Sequence, residues 1–178
     1  MKPISDFPGL TLRWLQVNRR AYDLRAGDET IATLRWRRAA GSLATGESAE
    51  GRWTLKRVGF FRTHITVRVE GREADLATMH RSARGESRLD FADSRSFIWK
   101  PTRERRREMG FYTSGGELLL RLMPESRLFR YEASLELGQG RIDPATLALL
   151  AIVGWYRSVL QHGDEIAAAA AAAGAAAA

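Results

Sequence analysis

From Leu10 to Leu137 apolar and polar residues alternate along almost every stretch, the period of half-buried β-strands. Leu10, Leu12 and Trp14 fall on one face of a first strand, Tyr22 and Leu24 on one face of a second, and Ala32, Leu34 and Trp36 on one face of a third. A weaker strand is expected around Ser42 to Glu47, and then one over Arg52 to Val58 with Trp53 and Leu55 together. In Arg62 to Glu70, Ile65, Val67 and Val69 oppose His64, Thr66 and Arg68. Further strands are expected at Glu73 to His80, Ser87 to Phe91, Arg95 to Lys100, Glu108 to Thr113 and Glu117 to Met123, with Pro101 and Pro124 as stops. The last strand alternates most cleanly, with Phe129, Tyr131, Ala133, Leu135 and Leu137 on one side. That makes about twelve strands. No proline interrupts the chain between Pro8 and Pro101, as a run of hydrogen-bonded ladders requires. Gly27-Asp28, Gly46-Glu47, Gly71-Arg72 and Gly85-Glu86 read as tight turns, so consecutive antiparallel hairpins are expected rather than helical crossovers.

The period then changes. Ile142 to Gln161, IDPATLALLAIVGWYRSVLQ, reads as a helix that is apolar on every side, with no charge between Ala145 and Tyr156. Asp143 can cap its first N–H groups and Pro144 suits the first helical position. Such a helix lies inside a protein or inside a membrane. At ~1.5 Å per residue it reaches only roughly 24 Å by Leu160, short of a ~30 Å hydrocarbon core. A buried plug is therefore expected, and a tail anchor is disfavoured by the capped start and by Arg157. Closing the sheet around this helix would remove exposed strand edges and give every inward side chain a partner. Ala145, Ala148, Ala151 and Gly154, spaced by three, would let it approach the strands.

The expected fold is thus mainly β, a closed antiparallel barrel of about twelve strands enclosing a hydrophobic C-terminal helix. Residues 1–9 form a lead, 10–162 one barrel domain with its central helix at 143–161, and 163–178 an alanine-rich tail that helix propensity alone could order. This pattern resembles the tubby C-terminal-like superfamily, which includes tubby domains, phospholipid scramblases and LURP-one-related proteins. The residues that carry the resemblance are Arg130-Tyr131-Glu132 through Asp143-Pro144 into LALLAIVGWYRSVL, with Gly51-Arg52-Trp53-Thr54-Leu55 and Thr63-His64-Ile65-Thr66-Val67 upstream. The resemblance is architectural, and it implies binding rather than catalysis: tubby domains hold phosphoinositide headgroups through surface Lys and Arg. Two departures matter. The chain has no cysteine cluster of the scramblase kind, and no tubby phosphoinositide motif falls on any of its positions.

Composition alters this picture only through charge. The net charge is +7, carried by 25 arginines and three lysines, which makes anionic partners plausible. The densest basic run, Arg95 to Arg107, holds six basic residues and one acidic one. Its core, Lys100, Arg103, Arg105, Arg106 and Arg107, is the candidate anion- or lipid-binding set, because guanidinium groups on one loop could grip phosphate bidentately. The competing reading is a solvated hairpin in an arginine-rich chain. A second set, Arg52, Lys56, Arg57, Arg62 and Arg68, has no acidic residue among it.

Other chemistry finds little footing. Gly138-Gln139-Gly140-Arg141-Ile142-Asp143 opens a helix as a dinucleotide loop would, but Asp143 puts negative charge at the phosphate position and no second strand follows. His64, His80 and His162 are isolated in sequence and cysteine is absent, so no metal site is expected. The carboxylate pairs Asp28-Glu29, Asp90/Asp93 and Asp164-Glu165 sit at expected turns, and there is no Gly-x-Ser-x-Gly elbow. Neither enzyme activity nor a cofactor is expected. Trp36, Trp53, Phe97 and Trp99 lie at strand periodicity and read as core, which disfavours nucleic acid. Residues 1–20 carry no long apolar run, so no secretory signal is expected and a cytoplasmic location is the default, peripheral at the membrane under the lipid-binding reading. Two functions stay open: a non-enzymatic module binding anionic phospholipid headgroups at a membrane surface, and a protein-interaction or structural module with no specific ligand.

Overall fold

A computed structural model describes residues 1–38, 41–59, 63–81, 86–102, 108–127 and 130–176. Twelve antiparallel strands close into a barrel in chain order, and one helix follows. The strands are β1 (Leu12–Asn18), β2 (Ala21–Ala26), β3 (Glu29–Trp36), β4 (Ala44–Ser48), β5 (Gly51–Val58) and β6 (His64–Val69), then β7 (Ala77–Arg81), β8 (Ser87–Phe91), β9 (Ser96–Pro101), β10 (Met109–Thr113), β11 (Leu118–Arg127) and β12 (Arg130–Leu137). The barrel is sealed between β1 and β12, where Leu12 lies opposite Leu135 and Trp14 opposite Ala133. Inward residues alternate as the sequence pattern requires. Leu12, Trp14, Leu24, Leu34, Leu55, Val67, Leu89, Trp99, Phe111, Leu122 and Leu135 are all buried.

The helix, α1 (Pro144–Ala176), packs its first half against the inner face of the strands, among them β3, β4, β5, β10 and β11. Leu147 and Val159 pack partly exposed at the two ends of a stretch in which Ala148 to Tyr156 is buried without a break. Burying a Leu or Ile side chain contributes roughly 1.5–3 kcal/mol, and here one element supplies its whole circumference. Its start is capped by Asp143. Oδ1 accepts from the Thr146 N–H at 2.8 Å and Oδ2 from the Thr146 hydroxyl at 2.7 Å, while Arg95 Nη1 donates to Asp143 Oδ2 at 3.1 Å and to Thr146 Oγ1 at 2.8 Å. At the other end aromatic rings grip it. Trp155 stacks on Trp14 and Tyr131 and meets Tyr22 edge-on, and Tyr156 stacks on Trp36 and donates its hydroxyl proton to the Ser42 carbonyl. Burial pushes the phenols of Tyr22, Tyr131 and Tyr156 up to about 12.

Five expectations change. Gly46-Glu47 is not a turn but lies inside β4, and the reversal falls at Ala49-Glu50. The glycine is there because a Cβ at residue 46 would come within 2.4 Å of the Ile152 Cγ2 atom on the helix. Pro124 does not end β11, which continues to Arg127 with Pro124 opposite Ala133. Among the described residues β10 pairs with β11 no further than Met109 opposite Leu122, and the ladder shown at Pro124 is the one to β12. Leu10 is 54% exposed and precedes β1. The helix does not stop at Gln161 but runs on unbroken to Ala176, since alanine is the best helix former. Ala145, the first of the small residues, lies outside the barrel and exposed, whereas Ala148, Ala151 and Gly154 are buried as expected. The lead also has a structural role: Ile4, in a short 3₁₀ turn (Ile4–Asp6), is fully buried against α1, and its N–H donates to Glu50 Oε1 at 2.9 Å.

Two outcomes test this packing. Gly46→Ala should lower the unfolding free energy in urea by about 1–3 kcal/mol through overpacking against Ile152. Gly163→Ala, on the same helix with nothing within 4 Å of the new methyl, should raise it by up to about 1 kcal/mol. The Asp143 cap has a pH signature. Burial pushes its carboxyl up, but the Thr146 N–H and hydroxyl together with Arg95 outweigh that and hold its pKa below the usual carboxylate range. A depressed folded-state pKa contributes stability above the unfolded value of about 3.9, and that stability is lost as pH falls through the folded value. Asp143→Ala should therefore cost about 1 kcal/mol at pH 7, with the gap to wild type narrowing between pH 5 and pH 2 in denaturant titrations.

Candidate anion-binding surface

Because every neighbouring pair of strands is antiparallel, successive connections alternate between the two ends of the barrel. One end carries the Asp143 cap. At the other, here called the exit end, α1 leaves the barrel beside β1–β2, β3–β4, β5–β6, β7–β8, β9–β10 and β11–β12. The connecting sequences at these two ends differ in charge. The six at the exit end hold ten arginines and three glutamates, whereas the six at the Asp143 end hold eight acidic residues and three arginines. The polarity is invisible along the chain because the two kinds of connection are interleaved.

Side-chain pairing sharpens the difference. Arg19, Arg20, Arg37, Arg38, Lys56 and Arg81 are exposed near the exit end. Among the described residues none of them has an acid within ion-pair distance. Arg37, Arg38 and Lys56 line a groove of about 740 Å³ together with Gly41, Ser42 and Leu43. Among the described residues this groove has three cations and no carboxylate, on a wall held in place by the Tyr156 bond to the Ser42 carbonyl. Ser42 is also fixed from β5, where its hydroxyl donates to the Arg57 carbonyl and accepts from the Arg57 N–H, both at 3.1 Å.

The residues singled out from sequence are distributed as follows. Arg103, Arg105, Arg106 and Arg107 lie outside the described residues. Their flanks are at the exit end, where the Thr102 N–H donates to the Glu108 carbonyl at 2.9 Å. Lys100, near that end of β9, holds its ammonium 4.7 Å from the centre of the Tyr112 ring, a cation–π contact that leaves its charge uncancelled. Arg95, counted in the same basic run, is at the opposite end of the six-residue β9 and is bound to Asp93 and Asp143. The second basic set is also split. Arg52 meets Glu70 at 3.1 Å and Glu47 at 3.6 Å, and Arg68 meets Asp75 at 2.6 Å, both towards the Asp143 end. Arg57 pairs with Asp164 of α1 at 2.7 Å, Lys56 lines the groove, and Arg62 lies outside the described residues.

Sequence reasoning missed Arg37 and Arg38, whose cationic groove is completed by Lys56 from another strand. It also read the histidines as isolated, whereas His64 and His80 are cross-strand neighbours with ring centres 5.5 Å apart. His162 stacks on Tyr131 at 4.0 Å. Among the described residues no three His, Asp or Glu side chains converge as metal ligands would, and no helix is long and apolar enough to cross a membrane. No family model, no curated protein and no solved structure matches the chain.

Proposed function

We propose that this protein is a non-enzymatic module of the tubby-like class that docks its exit end on anionic membrane surfaces, with phospholipid headgroups as its ligands. The observation that carries the reading is the gathering of exposed arginines without acidic partners at one end of the barrel, while at the other end Arg52, Arg68 and Arg95 are paired and the unpaired Arg72 and Arg141 lie among a majority of carboxylates. Near an anionic bilayer each such cation contributes about 1 kcal/mol, within a Debye length of ~8 Å at physiological salt. The alanine run that leaves the same end is uncharged from Ile166 onward, so beyond Glu165 it sets no acid against the surface. Binding of this kind needs no deep pocket and no reacting group.

Co-sedimentation with phosphatidylcholine vesicles, with and without phosphatidylserine, at low and high salt is the direct measurement. The wild type should bind only the anionic vesicles and release them at high salt. Changing Arg37, Arg38 and Lys56 together to Ser should weaken binding by about a hundredfold, from roughly 1 kcal/mol per charge, and changing Arg103, Arg105, Arg106 and Arg107 to Ser should do at least as much. Arg52→Ser with Arg68→Ser, at the opposite end, should leave it unchanged. Equal loss from both ends, or no preference for anionic vesicles, would remove this reading in favour of a protein-interaction module.

A further inference from the structure

Beside the point where α1 leaves the barrel, a cavity of about 440 Å³ opens between the helix and β5–β8, lined among others by Arg57, His64, Arg81 and Arg157. Arg157 follows directly on the Trp155-Tyr156 collar, so its position is set by the buried part of the helix. Its Nε is shut off from solvent and has no hydrogen-bond partner, and among the described residues it has no acid within ion-pair distance. Arg81, at the end of β7, faces the same cavity and also lacks an acid. Two carboxylates line the cavity: Asp164 is paired with Arg57 at 2.7 Å, and Glu165 accepts from the neutral Gln161 Nε2 at 2.9 Å and keeps its charge, so three arginines face one unpaired carboxylate. Burial, and then the like charge of Arg81, hold the pKa of Arg157 below the ordinary arginine range.

A half-buried arginine with an unsatisfied Nε and no acid within ion-pair distance, facing a second arginine, is a destabilising arrangement for an empty fold. A bound anion reverses the sign, because a guanidinium fork matches the oxygens of phosphate or carboxylate two at a time. We propose that this cavity is an oxyanion site, in which a phosphate-type group is held between Arg157 and Arg81. The walls formed by Ile65, Met79 and Leu160 are apolar, and the volume exceeds that of a bare phosphate, so the ligand is a phosphomonoester whose carrier has an apolar part. This site does not share the Arg37, Arg38 and Lys56 groove, and its test is independent of it.

The experiment is thermal unfolding of the full chain with inorganic phosphate titrated against chloride at constant ionic strength. The wild-type midpoint should rise and saturate with phosphate. Arg81→Gln and Arg157→Met should each weaken the apparent affinity tenfold or more. Arg157→Met should be no less stable than wild type without phosphate, because it removes a half-buried charge that has no acid within ion-pair distance while keeping a stem of similar shape. The Arg37, Arg38 and Lys56 triple variant should keep the full phosphate response even where it loses vesicle binding. A vesicle arm separates the sources: preference for phosphatidic acid over phosphatidylserine, lost in Arg81→Gln, identifies a lipid headgroup, whereas a phosphate response without that preference identifies a free phosphomonoester. If phosphate acts no differently from chloride and phosphatidic acid is not preferred, the site is refuted. It is equally refuted if Arg81→Gln, an exposed strand-end change that leaves the core intact, responds as wild type does.

Discussion

The structure depends on surrounding one apolar helix completely. A helix with no polar face has no stable place on a surface, and a barrel of this circumference has no stable interior unless something fills it. Each element removes the other's difficulty. The strands supply side chains all round Ala148 to Tyr156, and closing β1 on β12 leaves no unpaired sheet edge. Where the two approach most closely the chain gives up side-chain volume: Gly46 lets Ile152 in, and Gly154 lies under the Trp99 and Phe111 rings.

Running a helix through a barrel makes the two ends chemically different. At its start the free N–H groups need an acceptor, and Asp143 provides it, held by an arginine from the β8–β9 turn. At the exit the chain must leave through a ring of side chains, and stacked aromatics with buried hydroxyls seal that passage. Acidic connections surround the first end and basic connections the second, so the charge of the molecule is axial. An axial charge orients a protein towards an anionic surface in one direction only.

The arginines illustrate how little a local count of charge conveys. Arg52 and Arg68 belong to a stretch with no acid in it, yet Arg52 meets Glu70 at the end of the neighbouring strand and Arg68 meets Asp75 from the β6–β7 connection. Arg95 belongs to the most basic run in the chain and is occupied in capping the helix. Arg157 looks, in sequence, like the polar end of an apolar helix. In the fold it is the one helical arginine that faces a cavity with its Nε unsatisfied. Partners from neighbouring strands and connections, together with the Asp143 cap for Arg95, decide which of these cations are paired.

What the sequence determined by itself was the inventory of elements and the manner of their packing. Alternation along Leu12 to Leu137 and an uncharged apolar helix behind Asp143-Pro144 are local signals, and enclosing that helix in a closed sheet is the arrangement that buries both. The signal failed where tertiary contact overrode local preference, at Gly46, which reads as a turn because its contact with Ile152 cannot be seen, and at Pro124, which reads as a stop because its pairing with Ala133 of β12 cannot be seen. The candidate site was legible only in part. The basic character of the chain and Lys100 could be read directly, but the meeting of Arg37 and Arg38 with Lys56, the facing of Arg81 and Arg157, and the segregation of charge to two ends required the closed topology. The physical reason is that backbone periodicity is encoded within a few residues, whereas a binding surface is made by side chains whose proximity exists only once the strands have paired.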